Sequence, residues 1–190
     1  MHPDLLDYIQ RYVDLSEEEI ALFVSYLKPR NLKKKEFLLE AGQVCRSRYF
    51  IIKGVVRQFY IDKKGNEQII HFGVDNWWIT DYASVINKTV SHCYIEALED
   101  TQMLELSEED LNRLCVELPK ADQLFRKIME KTYIAIQARL EFMMSLSGEE
   151  LFQTFISHNP DFVQRVPQYM IASYLGMSPE FVSKIRSRKK

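Results

Sequence analysis

The chain has 190 residues, 46% of them hydrophobic and 27% charged, with a net charge of −2. That is ample material for a core, in one large domain or two small ones, and too polar for a membrane protein: no apolar run approaches the roughly 18 residues of a span, and residues 1–10 carry Asp4 and Asp7 where a signal peptide needs basic and apolar residues. Cys45, Cys93 and Cys115 are isolated and odd in number, which suggests a reducing compartment and hence the cytoplasm.

In chain order, residues 3–28 read as helical. Leu5, Leu6 and Ile9 give a first amphipathic piece. Ser16 followed by Glu19 is a capping box ahead of Ile20, Phe23, Val24 and Leu27 at helical spacing. Pro29 is expected to stop this helix. Over 33–106 the character changes to short runs rich in aromatic and β-branched residues, at 37–39, 49–52, 55–61, 68–72, 93–97 and 103–106. Ala41-Gly42, Lys53-Gly54 and Asp62-Lys63-Lys64-Gly65-Asn66 punctuate them, the last as the turn of a hairpin. Strands this short at this spacing predict an antiparallel sandwich or roll.

Ser107 opens helical sequence again, with Glu108, Glu109 and Asp110 suited to the positive end of a helix. Leu118-Pro119 breaks it. A long helix is expected over 120–146, with two adjacent apolar stripes. One is Ala121, Phe125, Ile128, Thr132, Ala135 and Phe142, stepping by three and four as a coiled-coil seam does and interrupted by Arg139; the other is Met129, Tyr133, Ile136, Leu140 and Met143. A band that wide exceeds one contact surface, so one stripe should pack on the roll and the other face a second copy. The alternative is a core helix covered all round. Phe125, Ile128, Thr132, Ala135, Arg139 and Phe142 are assigned to the dimer interface. Ser147-Gly148 is the expected hinge, and a helix over 149–158 closes at Asn159-Pro160.

The stretch 168–187, QYMIASYLGMSPEFVSKIRS, reads as two short helices joined by a sharp turn. Ile171, Ala172 and Leu175 form the apolar face of the first, Val182 and Ile185 that of the second. Gly176 suits a left-handed turn, Met177 can plug the corner, Ser178 can cap the second helix and Pro179 fits its first turn. The small Ala172 allows close crossing. This is the pattern of a DNA-binding helix-turn-helix, although any packed helix pair needs a glycine turn. Charge strengthens the reading. From Arg165 onward there are six basic residues (Arg165, Lys184, Arg186, Arg188, Lys189, Lys190) and one acidic, Glu180, a net of +5 that leaves −7 for the preceding residues. Lys184 and Arg188 lie one helical turn apart on the exposed face.

Three runs carry a wider resemblance: Gly42 with Tyr49-Phe50-Ile51-Ile52-Lys53-Gly54, then Ile95-Glu96-Ala97-Leu98-Glu99-Asp100-Thr101, then Ile171-Ala172-Ser173-Tyr174-Leu175-Gly176-Met177-Ser178. In this order, over essentially the whole chain, they resemble the Crp/Fnr family of bacterial transcription regulators. Trp77-Trp78, Asp81 and the Ala-Ser-Tyr-Leu-Gly run are similar to a branch common in Bacteroidetes, in which the chain stops soon after the recognition helix. The resemblance implies an α+β protein: an N-terminal antiparallel β-roll of the cyclic-nucleotide-binding type with flanking helices over 1–117, a dimerisation helix over 118–146, and a helix-turn-helix domain lacking the wing over 147–190. By position, Pro179, Glu180 and Lys184 match the family's base-reading places, with Gln168, Ser178, Ser183, Arg186, Ser187 and Arg188 completing the DNA-binding set. The partners implied are double-stranded DNA, a second copy and RNA polymerase, with no membrane.

In nucleotide-binding relatives a Gly-Glu pair holds the ribose, and an Arg-Ser or Arg-Thr clamps the cyclic phosphate. The corresponding places here read Thr80-Asp81 and Ser91-His92, without the arginine, so cyclic AMP is not the expected ligand. Trp78, Thr80, Asp81, Ser84, Ser91 and His92 stand as a candidate pocket for another effector, against the alternative of a vestige with a structural role. No metal or prosthetic group is expected, and no enzymatic activity. A cupin metal site needs a close His-x-His with further ligands, whereas His71 and His92 stand alone and His2 and His158 lie outside the roll. The cysteines lack the close spacing of an iron–sulfur sensor. The competing reading is a ligand-binding regulatory protein without sequence-specific DNA binding, which leaves the basic end unexplained.

Overall fold

The computed structural model describes residues 3–187. His2, Arg188, Lys189 and Lys190 lie outside the described residues, as does the Arg186 side chain.

Two helices open the chain, α1 (Pro3–Gln10) and α2 (Glu17–Ser25). α2 starts at the expected place because both halves of the capping box form. The Glu19 N–H donates to Ser16 Oγ at 3.2 Å, and the Ser16 N–H donates to the Glu19 carboxylate at 2.8 Å. The roll follows as β1 (Lys28–Leu32), β2 (Phe37–Leu39), β3 (Ser47–Lys53), β4 (Val56–Ile61), β5 (Glu67–Gly73), β6 (Trp77–Ile79), β7 (Tyr94–Ala97) and β8 (Thr101–Ser107), with α3 (Tyr82–Asn87) between β6 and β7. These strands form two antiparallel sheets, in the orders β1-β8-β3-β6 and β2-β7-β4-β5. Then come α4 (Glu108–Glu117), α5 (Pro119–Ser145), α6 (Gly148–His158), α7 (Pro160–Arg165), α8 (Gln168–Tyr174) and α9 (Pro179–Ser187).

Alternation along the strands distributes the apolar side chains among three cores. Ile51, Val56, Ile79, Ile95 and Met103 fill the space between the sheets. Their neighbours Phe50, Trp78, Leu104 and Leu106 face outward and pack against α1, α2, α4 and the first half of α5. On the other sheet Phe59, Ile69 and Phe72 meet Leu151, Phe152, Met170 and Ile171 of the C-terminal helices. Within that sheet the buried Arg57 of β4 donates to Glu96 of β7 at 2.7 Å and also reaches Glu67 of β5, so its charge is paired on both sides.

Several expectations are corrected here. Pro29 does not end a helix; it lies in β1, opposite Leu104 of β8. β1 is an edge strand, where a missing N–H is tolerated. β6, α3 and α7 appear where no regular element was expected. The stripe expected to face a second copy is partly covered by the chain itself. Phe125 and Ile128 are only 6% and 5% exposed, packed in the chain's own core with α1, α2 and α4, and have no surface to offer a partner. Thr132 is half-buried and bonds back to the Ile128 carbonyl at 2.9 Å. Arg139 is held by its own chain, bonding the Ile70 and Tyr174 carbonyls. Ala135 and Phe142 are exposed. The stripe left uncovered is the other one: Met129, Tyr133, Ile136, Leu140 and Met143.

Candidate nucleic-acid interface and effector site

The helix-turn-helix forms as its residues dictate. Ile171, Ala172 and Leu175 of α8 and Val182 and Ile185 of α9 are buried together. Gly176 adopts a φ of +71°, and the Met177 N–H returns to the Ala172 carbonyl at 2.8 Å, closing the first helix. Ser178 caps the second, its Oγ accepting from the Phe181 N–H at 3.2 Å. With the apolar face anchored, Ser178, Pro179, Glu180, Ser183, Lys184 and Ser187 are exposed and Gln168 is half-buried. Hydrogen bonds from its own N–H and from Ser178 hold the Glu180 carboxyl below the usual range, so it presents an ionised acceptor. Gly148 permits a close approach: a Cβ there would lie 2.7 Å from the Phe181 ring. Tyr169, absent from the predicted site, is 53% exposed and lines a cavity of about 100 Å³ with Gln168, Pro179, Val182 and Ser183. An exposed aromatic next to the apolar face of a first helix was the available signal.

The C-terminal helices do not hang free of the roll. Arg165 at the end of α7 donates to Asp75 at 2.8 and 3.1 Å and to Glu99 at 2.5 Å. Its charge, part of the basic C-terminal excess in the sequence, is neutralised by the roll. Ser173 of α8 accepts from the Ile69 N–H at 3.0 Å and donates to the Glu67 carbonyl at 3.2 Å. The Arg139 guanidinium lies 3.6 Å over the Tyr174 ring. Phe72 of β5 packs edge-on against Phe162 and Tyr174.

Most residues of the expected effector pocket do come together, but they bind each other. The Asp81 carboxylate accepts from the Ala83 and Ser84 N–H groups at 3.1 and 3.3 Å and from the Ser91 hydroxyl at 2.6 Å, which caps α3. Thr80 donates to the Ser47 carbonyl at 2.9 Å, and Ser84 donates to Thr89 and accepts from Cys45. Asp81 and Ser91, set at the places the resemblance gives to the ribose and the phosphate, are thus clasped directly. Trp78 is not part of this cluster; it is buried between Phe50 and Phe125, on the other face of β6 from Ile79. His92 is exposed beside the Tyr60 ring.

Residues 29–117 match the cyclic nucleotide-binding domain family. The chain is 25% identical over 187 residues to the regulatory protein HlyX of Actinobacillus pleuropneumoniae, covering 92% of this chain and 77% of that protein. It is 26% identical over 171 residues to the transcriptional activator protein Anr of Pseudomonas protegens, covering 84% and 69%. The chain is similar over most of its length to regulators of the Crp/Fnr type. Solved structures agree at the level of fold. The global regulator CLP of Xanthomonas campestris aligns with a TM-score of 0.75 over 91% of each chain at 13% identity. FixK2 of Bradyrhizobium japonicum aligns at 0.72 over 85% of this chain and 83% of that one, at 16% identity. A roll and a helix-turn-helix, joined by α5, are both in place.

Proposed function

We propose that this chain is a homodimeric, cytoplasmic transcription regulator of the Crp/Fnr type that binds double-stranded DNA through α9 and acts on RNA polymerase. One observation carries the reading. α9 is anchored by buried Val182 and Ile185 while Pro179, Glu180, Ser183 and Lys184 stand exposed along it. Glu180 can accept from a cytosine amino group and Lys184 can donate to guanine. Ser178, Ser187, Gln168, Arg186 and Arg188 supply backbone contacts, which position the protein without reading sequence. The uncovered stripe of α5 supports the dimer. Met129, Tyr133, Ile136, Leu140 and Met143 step by four, three, four and three, the spacing of a two-helix seam. A two-fold axis along that seam presents two recognition helices to successive major grooves.

The roll works without cyclic AMP in this reading. Asp81 and Ser91 already satisfy each other, and the place of the phosphate-clamping arginine reads Ser91-His92, so an anionic ligand would have to break that bond and do without the guanidinium fork. Calorimetry with cyclic AMP and cyclic GMP is expected to give no saturable isotherm in the low micromolar range; such an isotherm contradicts this part. DNA binding is tested separately by anisotropy with labelled duplexes, where salt-dependent, sequence-selective binding is expected and its absence sinks the proposal.

A further inference from the structure

We propose that Arg165 is a positioning residue that latches the DNA-reading helices onto the roll, so that the roll's turns, and not a pivot at Ser147-Gly148, set the direction in which α9 points. The DNA arm of this inference rests on the function proposed above; the latch itself does not.

Four observations converge. First, Arg165 joins two turns at one end of the roll, through Asp75 between β5 and β6 and Glu99 between β7 and β8. Asp75 reaches a third turn, accepting from the Gly54 N–H at 2.6 Å. Gly54 has no freedom to shift outward with a side chain, since at φ +134° a Cβ would fall 2.3 Å from Thr101 Oγ1. One guanidinium therefore gathers three turns whose backbone is closely fixed. Second, β5 is an edge strand, and Ser173 occupies its open edge by bonding both the Ile69 N–H and the Glu67 carbonyl. Third, Arg139 of α5 ties the next β5 carbonyl, that of Ile70, to the C-terminal carbonyl of α8 at Tyr174. Fourth, Val55, Phe59, Ile69 and Phe72 of the roll share a continuous core with Phe152, Met170, Ile171 and Val182. A pivot at Ser147-Gly148 would have to open the Arg165 and Ser173 bonds and the Arg139–Tyr174 bond, and part this core. Ser147 is moreover held in its own capping box with Glu150, and Gly148 is pressed against Phe181 of the recognition helix. The latched arrangement leaves the reading edge of α9 exposed, so the latch presents that edge and does not hide it.

A latch and a phosphate contact make opposite predictions for the same arginine. Arg165→Ala, Asp75→Asn (which retains an acceptor for the Gly54 N–H) and the double variant are compared by amide hydrogen exchange over 67–73 and 168–176. Each single change is expected to speed exchange in both segments, Asp75→Asn less because the Arg165–Glu99 bond remains, and the double change should add little to Arg165→Ala, which already removes the Asp75 pairing. In DNA binding each single change should weaken affinity roughly tenfold, through lost preorganisation, with an unchanged salt slope. Arg165→Lys, which keeps the charge but not the fork, should fall between wild type and alanine in both measurements and covers the case in which alanine impairs folding. The latch is overturned if exchange is unaffected, or if Arg165→Ala lowers the salt slope by about one while Asp75→Asn leaves affinity unchanged. Lys184→Ala separates the two readings: it should weaken DNA binding without altering exchange. If no variant, nor the wild type, binds DNA, the proposed function fails and the exchange result still decides the latch.

Discussion

Lys184 stands exposed on α9, where its ammonium can reach a base edge or a phosphate. Lys184→Ala should cost about 1–3 kcal/mol on the cognate site and relax one base position. Equal losses on cognate and random duplexes, measured by anisotropy, would reduce it to a phosphate contact. His71 supplies a second residue-scale prediction. Burial, with Arg139 nearby, pushes its imidazole from 6.5 down to about 4, so the folded chain favours the neutral ring. Between those values the unfolded chain binds more protons than the folded one. The contribution of His71 to stability is therefore complete above about pH 6.5 and lost as the pH falls toward about 4. Urea unfolding across that window should show the decline, and His71→Gln should flatten it; an unchanged slope contradicts the assignment. Arg165 shows where residue-level reading of sequence stops. Its charge is visible in the chain, but its partners Asp75 and Glu99 lie 90 and 66 positions away, and nothing local signals them.

At the scale of elements, what the sequence disclosed was local. The capping boxes at Ser16 and Ser147, the Gly176 turn and the Ser178 cap each depend on residues within a few positions, and each forms. β1 and β6 depend on distant pairing: β1 contains a proline that local rules read as a stop, and β6 is three residues long and paired with β3. α5 posed a different difficulty. Its two apolar stripes have the same heptad spacing, and periodicity does not say which one the roll covers. The roll takes Ala121, Phe125 and Ile128, leaving Met129, Tyr133, Ile136, Leu140 and Met143. The two stripes now predict different outcomes. Leu140→Glu, at a side chain 56% exposed, should give a folded monomer by light scattering and circular dichroism, with DNA affinity sharply reduced. Ile128→Glu should instead unfold the chain, because it buries a carboxylate among Phe23, Leu124 and Phe125. A Leu140→Glu protein that remains dimeric would move the seam elsewhere.

Across the whole molecule, the three cores divide the work. The one between the sheets makes the roll, the one under α1, α2 and α4 seats the first half of α5, and the one beyond β5 seats α8 and α9. The second half of α5 thus stands between its own roll and helix-turn-helix with one stripe uncovered, so a partner helix there would fix the separation of two α9 helices. Family resemblance made the order of these parts readable from sequence; the docking of α8 along β5 was not readable, because Ser173 and Tyr174 look like ordinary positions on a helix face. The central claim is that the paired recognition helices read two half-sites. Selection from random duplex DNA, followed by anisotropy and sedimentation at two salt concentrations, tests it most directly. One dimer is expected on a two-fold symmetric site, its half-sites about 10 base pairs or a multiple apart, with affinity falling steeply with salt. Binding as a monomer to a single half-site, or equal affinity for unrelated duplexes, would contradict it.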